Sequence, residues 1–371
     1  MKKKRVLLVY SSGGGGLKYL AENLGMGLRR YFGGMVQVDL ADPFTETDGF
    51  GNLLFCKIYN FFLYRNLAVN SLLVKLSYLT RPNMLPIVKS EVHSSLRRRL
   101  DSCDLVICTS PWVLEGIFYS LEQLKRDIPV MVYVADFGEG MHTDWFHKKA
   151  AGYLTVTDEA GCILRKHGAS PGSVSVLGLP VPHPRKKGRR IRRLSRRILI
   201  ASSLHGSEEI VHILDSINPP SGRLRIDVLC GTSIDLLKAV SSRPKDISNV
   251  DVRAHGFVSE RTLFALTEAA DLMVTKAGSL SIANAVCAST PMLLIGYPAI
   301  MPQERGNARF VVENNIGWLC MSRNEIAERI RQATSDHGMI TEKQVAMARL
   351  KHFTDTKRIC GSIMRRAGFI L

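Results

Sequence analysis

The chain has 371 residues, of which 46% are hydrophobic and 22% are charged, and its formal net charge at pH 7 is +17. This length predicts two domains, and the hydrophobic fraction excludes a largely disordered chain. The positive charge favours anionic partners, which are membrane lipids, phosphorylated substrates or nucleic acid. No run of about 18 uncharged apolar residues occurs, so a membrane-spanning helix is not expected.

The N-terminus and the cysteines both favour a cytoplasmic protein. The basic residues 2–5 precede only a short apolar run that leads into four glycines, so we interpret this segment as a first strand and not as a signal peptide. The eight cysteines form no Cys-x-x-Cys pair and show no zinc-ligand spacing. This distribution is typical of free thiols in a reducing compartment, and no metal site is expected.

Strand-like and helical patterns alternate along the first half of the chain. Such alternation predicts a parallel sheet covered by helices on both faces. The predicted strands are residues 6–10, 36–40, 105–109, 129–135, 154–157 and 174–177.

Four glycines, Gly13 to Gly16, follow the first predicted strand and open a helix. Glycine at this place lets the backbone approach a ligand closely. The loop matches neither the dinucleotide-binding fingerprint with its partner acid nor the P-loop. It is therefore either a ligand contact or a tight strand-to-helix turn.

Leucines and aromatic residues fill the segment 53–79, where Lys57, Arg65 and Lys75 interrupt them. An amphipathic segment with basic edges can lie in the interface of an anionic bilayer. The alternative is a buried helix of the first domain.

A polar loop, DFGEGMHTDWFH at residues 136–147, follows the fourth predicted strand. The carboxyl end of a strand is the usual place for a catalytic loop in an open α/β sheet. Asp136 and His142 are both candidates for a general base, and the sequence does not decide between them. Trp145 is either a packing anchor or a substrate contact, and His147 either acts in the site or opens the next element.

A dense basic stretch, with nine Lys and Arg residues among residues 185–197, follows three prolines. We interpret residues 183–197 as a linker between a first domain, residues 1–182, and a second, residues 198–354. The second domain repeats the alternation, with predicted strands at 198–202, 225–229, 250–254, 272–275 and 292–295. The basic stretch is a solvated connector or a membrane contact. It lacks interleaved aromatic residues, so nucleic acid is not expected as a partner.

The segment 275–307 carries the most informative pattern. An apolar strand ends in a small-residue turn, and a helical pattern begins at once, which predicts an anion site at a helix N-terminus. Polar side chains then follow the next apolar strand. A phosphate cradle followed by groups that bind hydroxyls is what a nucleotide-sugar site needs. The residues of the two parts are Thr275, Lys276, Ala277, Gly278 and Ser279, and then Gln303, Glu304 and Asn307.

These motifs resemble the glycosyltransferase family that contains plant monogalactosyldiacylglycerol synthases, bacterial diacylglycerol glucosyltransferases and the peptidoglycan N-acetylglucosaminyltransferase. The family pattern of Asp, then His-Pro-x-Trp-Phe-His, is matched by Asp136, His142, Trp145, Phe146 and His147, and Thr143 replaces the proline. The family's Gln-Glu-x-x-Asn stands at residues 303–307. The resemblance implies an α/β protein of GT-B fold, in which two Rossmann-like doubly wound domains face a cleft. It also implies that a last helix, within residues 355–371, returns to the first domain.

The resemblance implies an inverting glycosyltransferase that moves a hexose from a UDP-sugar to a membrane lipid hydroxyl, that of diacylglycerol. The UDP-sugar is a co-substrate, and no cofactor is expected. Peripheral association with an anionic membrane surface follows from a lipid acceptor. The alternatives are a polyprenyl-linked acceptor, UDP-sugar epimerisation on the same fold, or a non-catalytic relative that binds a nucleotide or a membrane.

The resemblance also implies roles for individual residues. His142 or Asp136 would be the base, and Gly14, Gly15, Gly16 and Trp145 would contact the acceptor. The donor would be held by His205, Gly206, Phe257, Thr275, Lys276, Ala277, Gly278, Ser279, Asn284, Gln303, Glu304 and Asn307.

The chain departs from the family pattern at several of these places. Leu17 stands where the family has a histidine after its glycines, and Asn284 stands where a glutamate pairs with the ribose hydroxyls. Pro302 replaces a glycine, and the loop 203–207 keeps only Gly206 of a glycine-rich loop. A neutral amide makes weaker hydrogen bonds than a carboxylate, so we expect weaker or altered donor binding.

Overall fold

The computed structural model describes residues 3–65, 67–182, 195–201, 207–217, 223–243, 249–297, 300–350 and 352–371. Among them, twelve strands form two six-stranded sheets in which all neighbouring strands are parallel. Helices cover both sheets, so the predicted α/β architecture with two doubly wound units is confirmed.

The first sheet has the spatial order β2-β1-β3-β4-β5-β6. Its strands are β1 (Lys4–Val9), β2 (Val36–Ala41), β3 (Leu105–Cys108), β4 (Val130–Val134), β5 (Gly152–Thr155) and β6 (Val174–Val176). All side chains of β3, β4 and β5 are buried, as expected for a parallel sheet between two helical layers. The strand order reverses between β1 and β3, and ligands of open α/β sheets bind at such a point.

The second sheet has the order β12-β11-β10-β7-β8-β9. Its strands are β7 (Arg197–Ala201), β8 (Leu224–Leu229), β9 (Val250–His255), β10 (Leu272–Thr275), β11 (Met292–Ile295) and β12 (Gly317–Cys320). Read from β9, this is the 3-2-1-4-5-6 arrangement of dinucleotide-binding folds, with its switch point between β7 and β10.

The predicted strands agree with the observed ones within two residues at each end, but β12 was not predicted. This edge strand has only four residues, begins with a glycine and leaves Trp318 and Leu319 half-buried, so its pattern is weak. The predicted second domain also begins one residue late. Arg197 already belongs to β7, where its N–H and that of Ser195 donate to the Asp271 carboxylate. Residues 183–194 of the predicted linker lie outside the described residues.

In the described part of the chain, seven helices accompany the first sheet: α1 (Gly16–Phe32), α2 (Pro43–Thr47), α3 (Tyr59–Arg65), α4 (Leu67–Thr80), α5 (Pro86–Ser102), α6 (Pro111–Gln123) and α7 (Asp158–Lys166). A π-helical segment, Asn52–Ile58, leads into α3. Helix α6 illustrates how the sequence fixes a helix start. The Ser110 hydroxyl accepts the N–H of Trp112, and Pro111 occupies the first turn.

Eight helices follow in the rest of the described chain: α8 (Ser207–Ser216), α9 (Ile234–Ser241), α10 (Glu260–Ala269), α11 (Ser279–Ala288), α12 (Arg305–Glu313), α13 (Arg323–Ser335), α14 (His337–Arg349) and α15 (Thr356–Arg366). Helix α15 lies against α1 of the first domain, where a Cβ placed on Gly27 would be 2.5 Å from the Thr356 methyl group. The Thr356 hydroxyl donates to the Val181 carbonyl at 2.7 Å, and the Arg358 guanidinium donates to that of Leu177 at 2.8 Å.

The segment 53–79 is helical and has two different faces. Helix α4 buries Asn70 and Val74 against the protein and exposes Leu72, Leu76 and Leu79 to solvent. We call the latter three the apolar helix face. The segment therefore packs inward on one side and offers apolar surface on the other, and membrane contact stays a prediction. Among the described residues, no helix is both long enough and apolar enough to cross a bilayer.

Candidate active site between the two sheets

A cleft with a cavity of about 420 Å³ lies where the carboxyl ends of the two sheets face each other. The loops after β1, β3 and β4 line it from one side, and Ala201 at the end of β7 and the loops after β8, β9, β10 and β11 line it from the other. Fourteen of the residues singled out from the sequence line this one cavity: Gly14, Gly15, Gly16, Asp136, His142, Trp145, Phe257, Lys276, Gly278, Ser279, Asn284, Gln303, Glu304 and Asn307. His205 and Gly206 lie outside the described residues.

The glycine loop needs its glycines for geometry as well as for access. Gly14 and Gly15 have φ angles of 78° and 76°, a left-handed conformation that side chains other than glycine rarely adopt. The Gly14 N–H donates to Asn60 at 2.8 Å, and helix α1 begins at Gly16. The two interpretations of this loop, a tight strand-to-helix turn and a ligand contact, are therefore compatible. Leu17 lines the cavity with an apolar side chain.

Asp136 lies just beyond β4, where its side chain is half-buried and its carboxylate is largely desolvated. Its Oδ2 atom accepts the indole N–H of Trp145 at 2.7 Å, and the backbone N–H of His142 also donates to the carboxylate. The pKa of Asp136 is raised to about 7, mainly by desolvation and also by Glu304, while the two hydrogen bonds oppose the rise. A carboxylate with a pKa near neutrality is well matched to general-base catalysis.

His142 is buried, and its ring is held in one orientation. Its Nδ1 atom accepts the backbone N–H of Asp144 at 3.1 Å, so the proton of a neutral ring is on Nε2, which faces the Ser77 hydroxyl at 3.5 Å. Burial lowers the pKa of His142. The nitrogen that could accept a proton is thus already engaged, and the geometry favours Asp136 over His142 as the base.

Trp145 and His147 belong to the same loop but lie in different surroundings. Trp145 is 1% exposed, and its indole N–H orients Asp136, so it positions the carboxylate as well as lining the cleft. His147 stacks on Phe118 with ring centroids 3.7 Å apart and does not line the cavity. The match of His147 to the family pattern therefore reflects packing in this chain.

The turn after β10 presents backbone N–H groups to the cleft. Helix α11 begins at Ser279 with Gly278 as its N-cap, and no side chain caps it. Lys276 lines the same place and forms an ion pair with Glu304. Thr275 and Ala277 do not line the cavity. The Thr275 hydroxyl donates to the Ala201 carbonyl at 3.0 Å, so these two residues shape the loop from behind.

Gln303 and Glu304 occupy a single helical turn, Pro302–Glu304, that leads into α12. The Oε1 atom of Gln303 is buried without a hydrogen-bond partner among the described atoms, and such a group gains most from a ligand hydroxyl. Asn307 lines the cavity as well, but both ends of its amide are used by the protein. Its Oδ1 accepts the N–H of Phe137 at 3.2 Å, and its Nδ2 donates to the Ala277 carbonyl at 2.8 Å.

Asn284 and Phe257 lie on the second-domain wall. Asn284 projects from α11 into the cavity and is nearly buried, so its amide can reach a ligand. Phe257 follows β9 and is 72% exposed at the rim.

The cavity also contains residues that were not predicted. Tyr59, Ser77, Tyr78 and Trp112 line it. Three of them belong to the aromatic segment 53–79, whose pattern indicated only membrane contact or burial. Trp112 follows the Ser110-Pro111 helix start directly after β3. That position at a strand end indicates proximity to the site, which hydrophobic periodicity alone does not. No cluster of three or more potential metal-binding side chains occurs in the described part of the chain.

Comparisons with known proteins agree with this architecture. Residues 20–181 match the sequence profile described as monogalactosyldiacylglycerol (MGDG) synthase, and residues 221–358 match that of the glycosyltransferase family 28 C-terminal domain. The chain is 27% identical over 355 residues to the chloroplastic monogalactosyldiacylglycerol synthase of Spinacia oleracea, covering 89% of this chain and 66% of that protein. It is 25% identical over 270 residues to the processive diacylglycerol beta-glucosyltransferase of Bacillus pumilus, covering 70% of this chain and 68% of that protein. The chain thus spans just under two thirds of the plant relatives it matches, including 64% of monogalactosyldiacylglycerol synthase 1 of Arabidopsis thaliana.

Solved structures share the fold. MurG of Acinetobacter baumannii superposes with a TM-score of 0.64 at 15% identity, covering 98% of this chain and 99% of that one. The calicheamicin glycosyltransferase CalG4 superposes with a TM-score of 0.62 at 13% identity, covering 100% and 98%. The predicted GT-B fold and the resemblance to lipid glycosyltransferases are confirmed.

Proposed function

We propose that this protein transfers a hexose from a UDP-sugar to the hydroxyl of diacylglycerol, with inversion at the anomeric carbon. The matches of residues 20–181 to the monogalactosyldiacylglycerol synthase profile and of residues 221–358 to the glycosyltransferase family 28 C-terminal profile support this proposal. The observation that carries this proposal is the shared cleft. A carboxylate with a pKa of about 7 faces an open helix N-terminus and a cluster of polar side chains from the other domain.

The donor would bind to the second domain. The first-turn N–H groups of α11 and the Lys276 ammonium group are available to the diphosphate and to the charge that develops on it as the sugar leaves. Asn284 is placed for a ribose hydroxyl, and Gln303 and Glu304 are placed for the sugar. Lys276 leaves its ion pair with Glu304 when it turns to the diphosphate, which frees the carboxylate for a sugar hydroxyl.

The acceptor would be activated by Asp136. The carboxylate takes the proton of the lipid hydroxyl as that oxygen attacks the anomeric carbon from the face opposite UDP. One carbon–oxygen bond forms while the bond to the diphosphate breaks, and the electron pair of that bond leaves with UDP. His142 remains neutral and packs edge-to-face on Tyr78, with centroids 4.2 Å apart, so it shapes the acceptor side without exchanging a proton.

A lipid acceptor requires access from a membrane surface. The apolar helix face (Leu72, Leu76 and Leu79) lies on α4, and Lys75 beside it is exposed. Val74, Ser77 and Tyr78 on the other side of α4 line the cleft. One helix therefore separates the proposed membrane contact from the site, which supports peripheral association with an anionic bilayer.

The proposal is tested by thermal unfolding with UDP, ADP or GDP, followed by labelled UDP-sugars presented with diacylglycerol liposomes. A ligand at about 100 times its Kd stabilises the folded state by roughly 2.7 kcal/mol, so selective UDP binding is readily seen. We expect UDP stabilisation and a labelled lipid product. Stabilisation without product would favour the non-catalytic relative, which Leu17 and Asn284 make the second candidate. No effect of UDP would overturn the donor assignment.

A further inference from the structure

The loop that carries Asp136 is covalently part of the first domain, but its backbone rests on the second. The N–H of Phe137 donates to Asn307 at 3.2 Å, and the N–H of Gly306 donates to the Glu139 carbonyl at 3.2 Å. Gly140 has a φ of 79°, and a Cβ at that residue would overlap the Pro302 carbonyl. Backbone therefore meets backbone across the domain boundary, next to the proposed base.

Asn307 is the buried centre of this contact. It is 2% exposed, and both ends of its amide bind backbone groups. The Oδ1 atom accepts the N–H of Phe137 in the Asp136 loop. The Nδ2 atom donates at 2.8 Å to the carbonyl of Ala277, a residue in the turn between β10 and α11. A single side chain thus joins the loop of the proposed base to the turn proposed for the diphosphate.

Weaker contacts surround this amide. Arg309 of α12 forms ion pairs with Glu139, at 3.0 Å, and with Glu159. These groups are well exposed, and exposed ion pairs contribute little to stability. The Phe137 ring meets Phe310 edge-to-face, with centroids 5.0 Å apart. The aromatic contact brings the surfaces together, while the Asn307 amide fixes the backbone of the residue next to Asp136.

We infer that Asn307 is a positioning residue that places the base in register with the bound donor, rather than a ligand of the donor sugar. The inference rests on the proposed function for its catalytic meaning. Asp136 precedes Phe137 in the chain, so a shift of the Phe137 backbone moves the carboxylate. A misplacement of about 1 Å can lower a rate by about 100-fold.

The position of the loop also sets the electrostatic environment of Asp136. The groups that face the carboxylate are the N–H donors of Trp145 and His142, the carboxylate of Glu304 with its partner Lys276, and the neutral phenols of Tyr59 and Tyr78. A loop released from Asn307 would admit water to Asp136 and favour its charged form. The acidic limb of the rate profile would then move to lower pH.

The test compares Asn307→Leu, which is similar in size but makes neither hydrogen bond, with Asn307→Asp, which can still accept from Phe137. Asn314→Leu is the control, since the Asn314 amide donates to the Phe310 carbonyl at the end of its own helix, α12. We expect Asn307→Leu to lower kcat by about 100-fold, shift the acidic limb to lower pH and leave the Kd for UDP nearly unchanged. Asn307→Asp should retain more of the loop order, and Asn314→Leu should behave as the wild type.

Amide hydrogen exchange of residues 137–142 gives a readout that does not need turnover. We expect UDP to slow this exchange in the wild type but not in Asn307→Leu, with thermal unfolding used to show that each variant is folded. A parallel loss of UDP affinity with normal kcat at saturating donor would make Asn307 a donor ligand and overturn the inference. Unchanged exchange in Asn307→Leu would also overturn it. A wild type without transferase activity would count against the proposed function alone, because exchange still reports on the loop.

Discussion

At the residue scale, the chemistry depends on how two neighbouring candidates are hydrogen-bonded. Asp136 receives N–H donors but remains desolvated beside Glu304, while His142 has its Nδ1 engaged by the backbone of Asp144. A base must present an unoccupied lone pair when the substrate arrives, and its pKa must lie near the working pH. Asp136 meets both conditions, whereas the accepting nitrogen of His142 is occupied while its ring keeps this orientation, and burial lowers the pKa of His142.

Asp136→Asn is expected to lower kcat by about 100- to 10,000-fold, the usual contribution of a general base, and to leave UDP affinity intact. In the wild type, kcat should rise as the pH increases through about 7, because the carboxylate must be charged to accept the proton. Rates measured across the pH range with saturating donor check both statements. The matched control is Asp101→Asn, which removes the same charge from the exposed end of α5. A His142→Phe variant that loses more activity than Asp136→Asn would contradict the assignment.

The Asp136→Asn substitution should also stabilise the fold at neutral and alkaline pH. A carboxyl whose folded pKa is raised from 3.8 to about 7 binds more protons folded than unfolded, so its ionisation destabilises the protein as pH rises between these values. The full shift corresponds to roughly 4 kcal/mol, an upper bound because the carboxyl is partly exposed. Chemical denaturation should therefore show Asp136→Asn to be more stable than the wild type at pH 8 and equal to it near pH 4. Equal stability at pH 8 would mean that Asp136 is well solvated.

The sequence could name both candidates but could not rank them. Asp136 and His142 stand in one loop, and their spacing shows only that both lie near a strand end. Their ranking depends on the Asp144 N–H and on Ser77, which lies 65 residues away. Asn307 fits the family's donor pattern, but its partners come from loops 30 and 170 residues away in the chain. Tertiary hydrogen bonds of this kind leave no local pattern.

At the element scale, strands buried on both faces were the most predictable features. The runs at β4 and β10 are continuously apolar and end in polar or small residues, so their positions and the loops after them follow directly from the sequence. The edge strand β12 lacks such a run. Helix α4 is a harder case, because its inner face contains Asn70 and Ser77 while its outer face contains leucines. Apolar side chains usually face the core, but on this helix they face solvent. The exposed leucines therefore indicate a surface for apolar contact.

The apolar helix face should control membrane binding separately from the donor site. Leu72, Leu76 and Leu79 follow the i, i+4, i+7 spacing of one helix side, and Leu79 is 82% exposed. Burial of one leucine contributes about 1.5–3 kcal/mol, so Leu72→Glu with Leu79→Glu should weaken liposome binding at least about tenfold. Co-sedimentation with anionic liposomes measures this effect, and stabilisation by UDP should persist.

Ile234→Glu is the matched control for this pair, since Ile234 is a similarly exposed apolar residue on α9 of the second domain. It should bind liposomes as the wild type does. If Ile234→Glu weakens binding as much as the α4 variant, the contact is distributed over the surface. Unchanged binding in the α4 variant would exclude this face as the membrane contact.

At the scale of the whole molecule, two contacts join domains that are separate in sequence. The loop after β4 rests on α12 at the cleft, and α15 returns from the end of the chain to lie on α1. The two domains that bound the cleft therefore touch through both contacts, and the geometry of the cleft depends on both. Such an arrangement lets changes far from the site alter how the two halves of the site meet.

The return of α15 can be tested by two glycine substitutions that differ only in their surroundings. Gly27 and Gly361 both lie inside helices, where Ala is favoured over Gly by about 0.5–1 kcal/mol. A Cβ at Gly27 would be 2.5 Å from Thr356 and 2.8 Å from Cys360, whereas at Gly361 it would meet nothing closer than 3.7 Å. Gly27→Ala should lower the Tm, because overpacking destabilises by about 1–3 kcal/mol, and Gly361→Ala should maintain or raise it. Since α15 follows the second domain in the chain, loss of protection from hydrogen exchange in α1 of the Gly27→Ala protein would show that the C-terminus holds the first domain. Equal Tm values for the two variants would mean that α15 does not pack on α1 in solution.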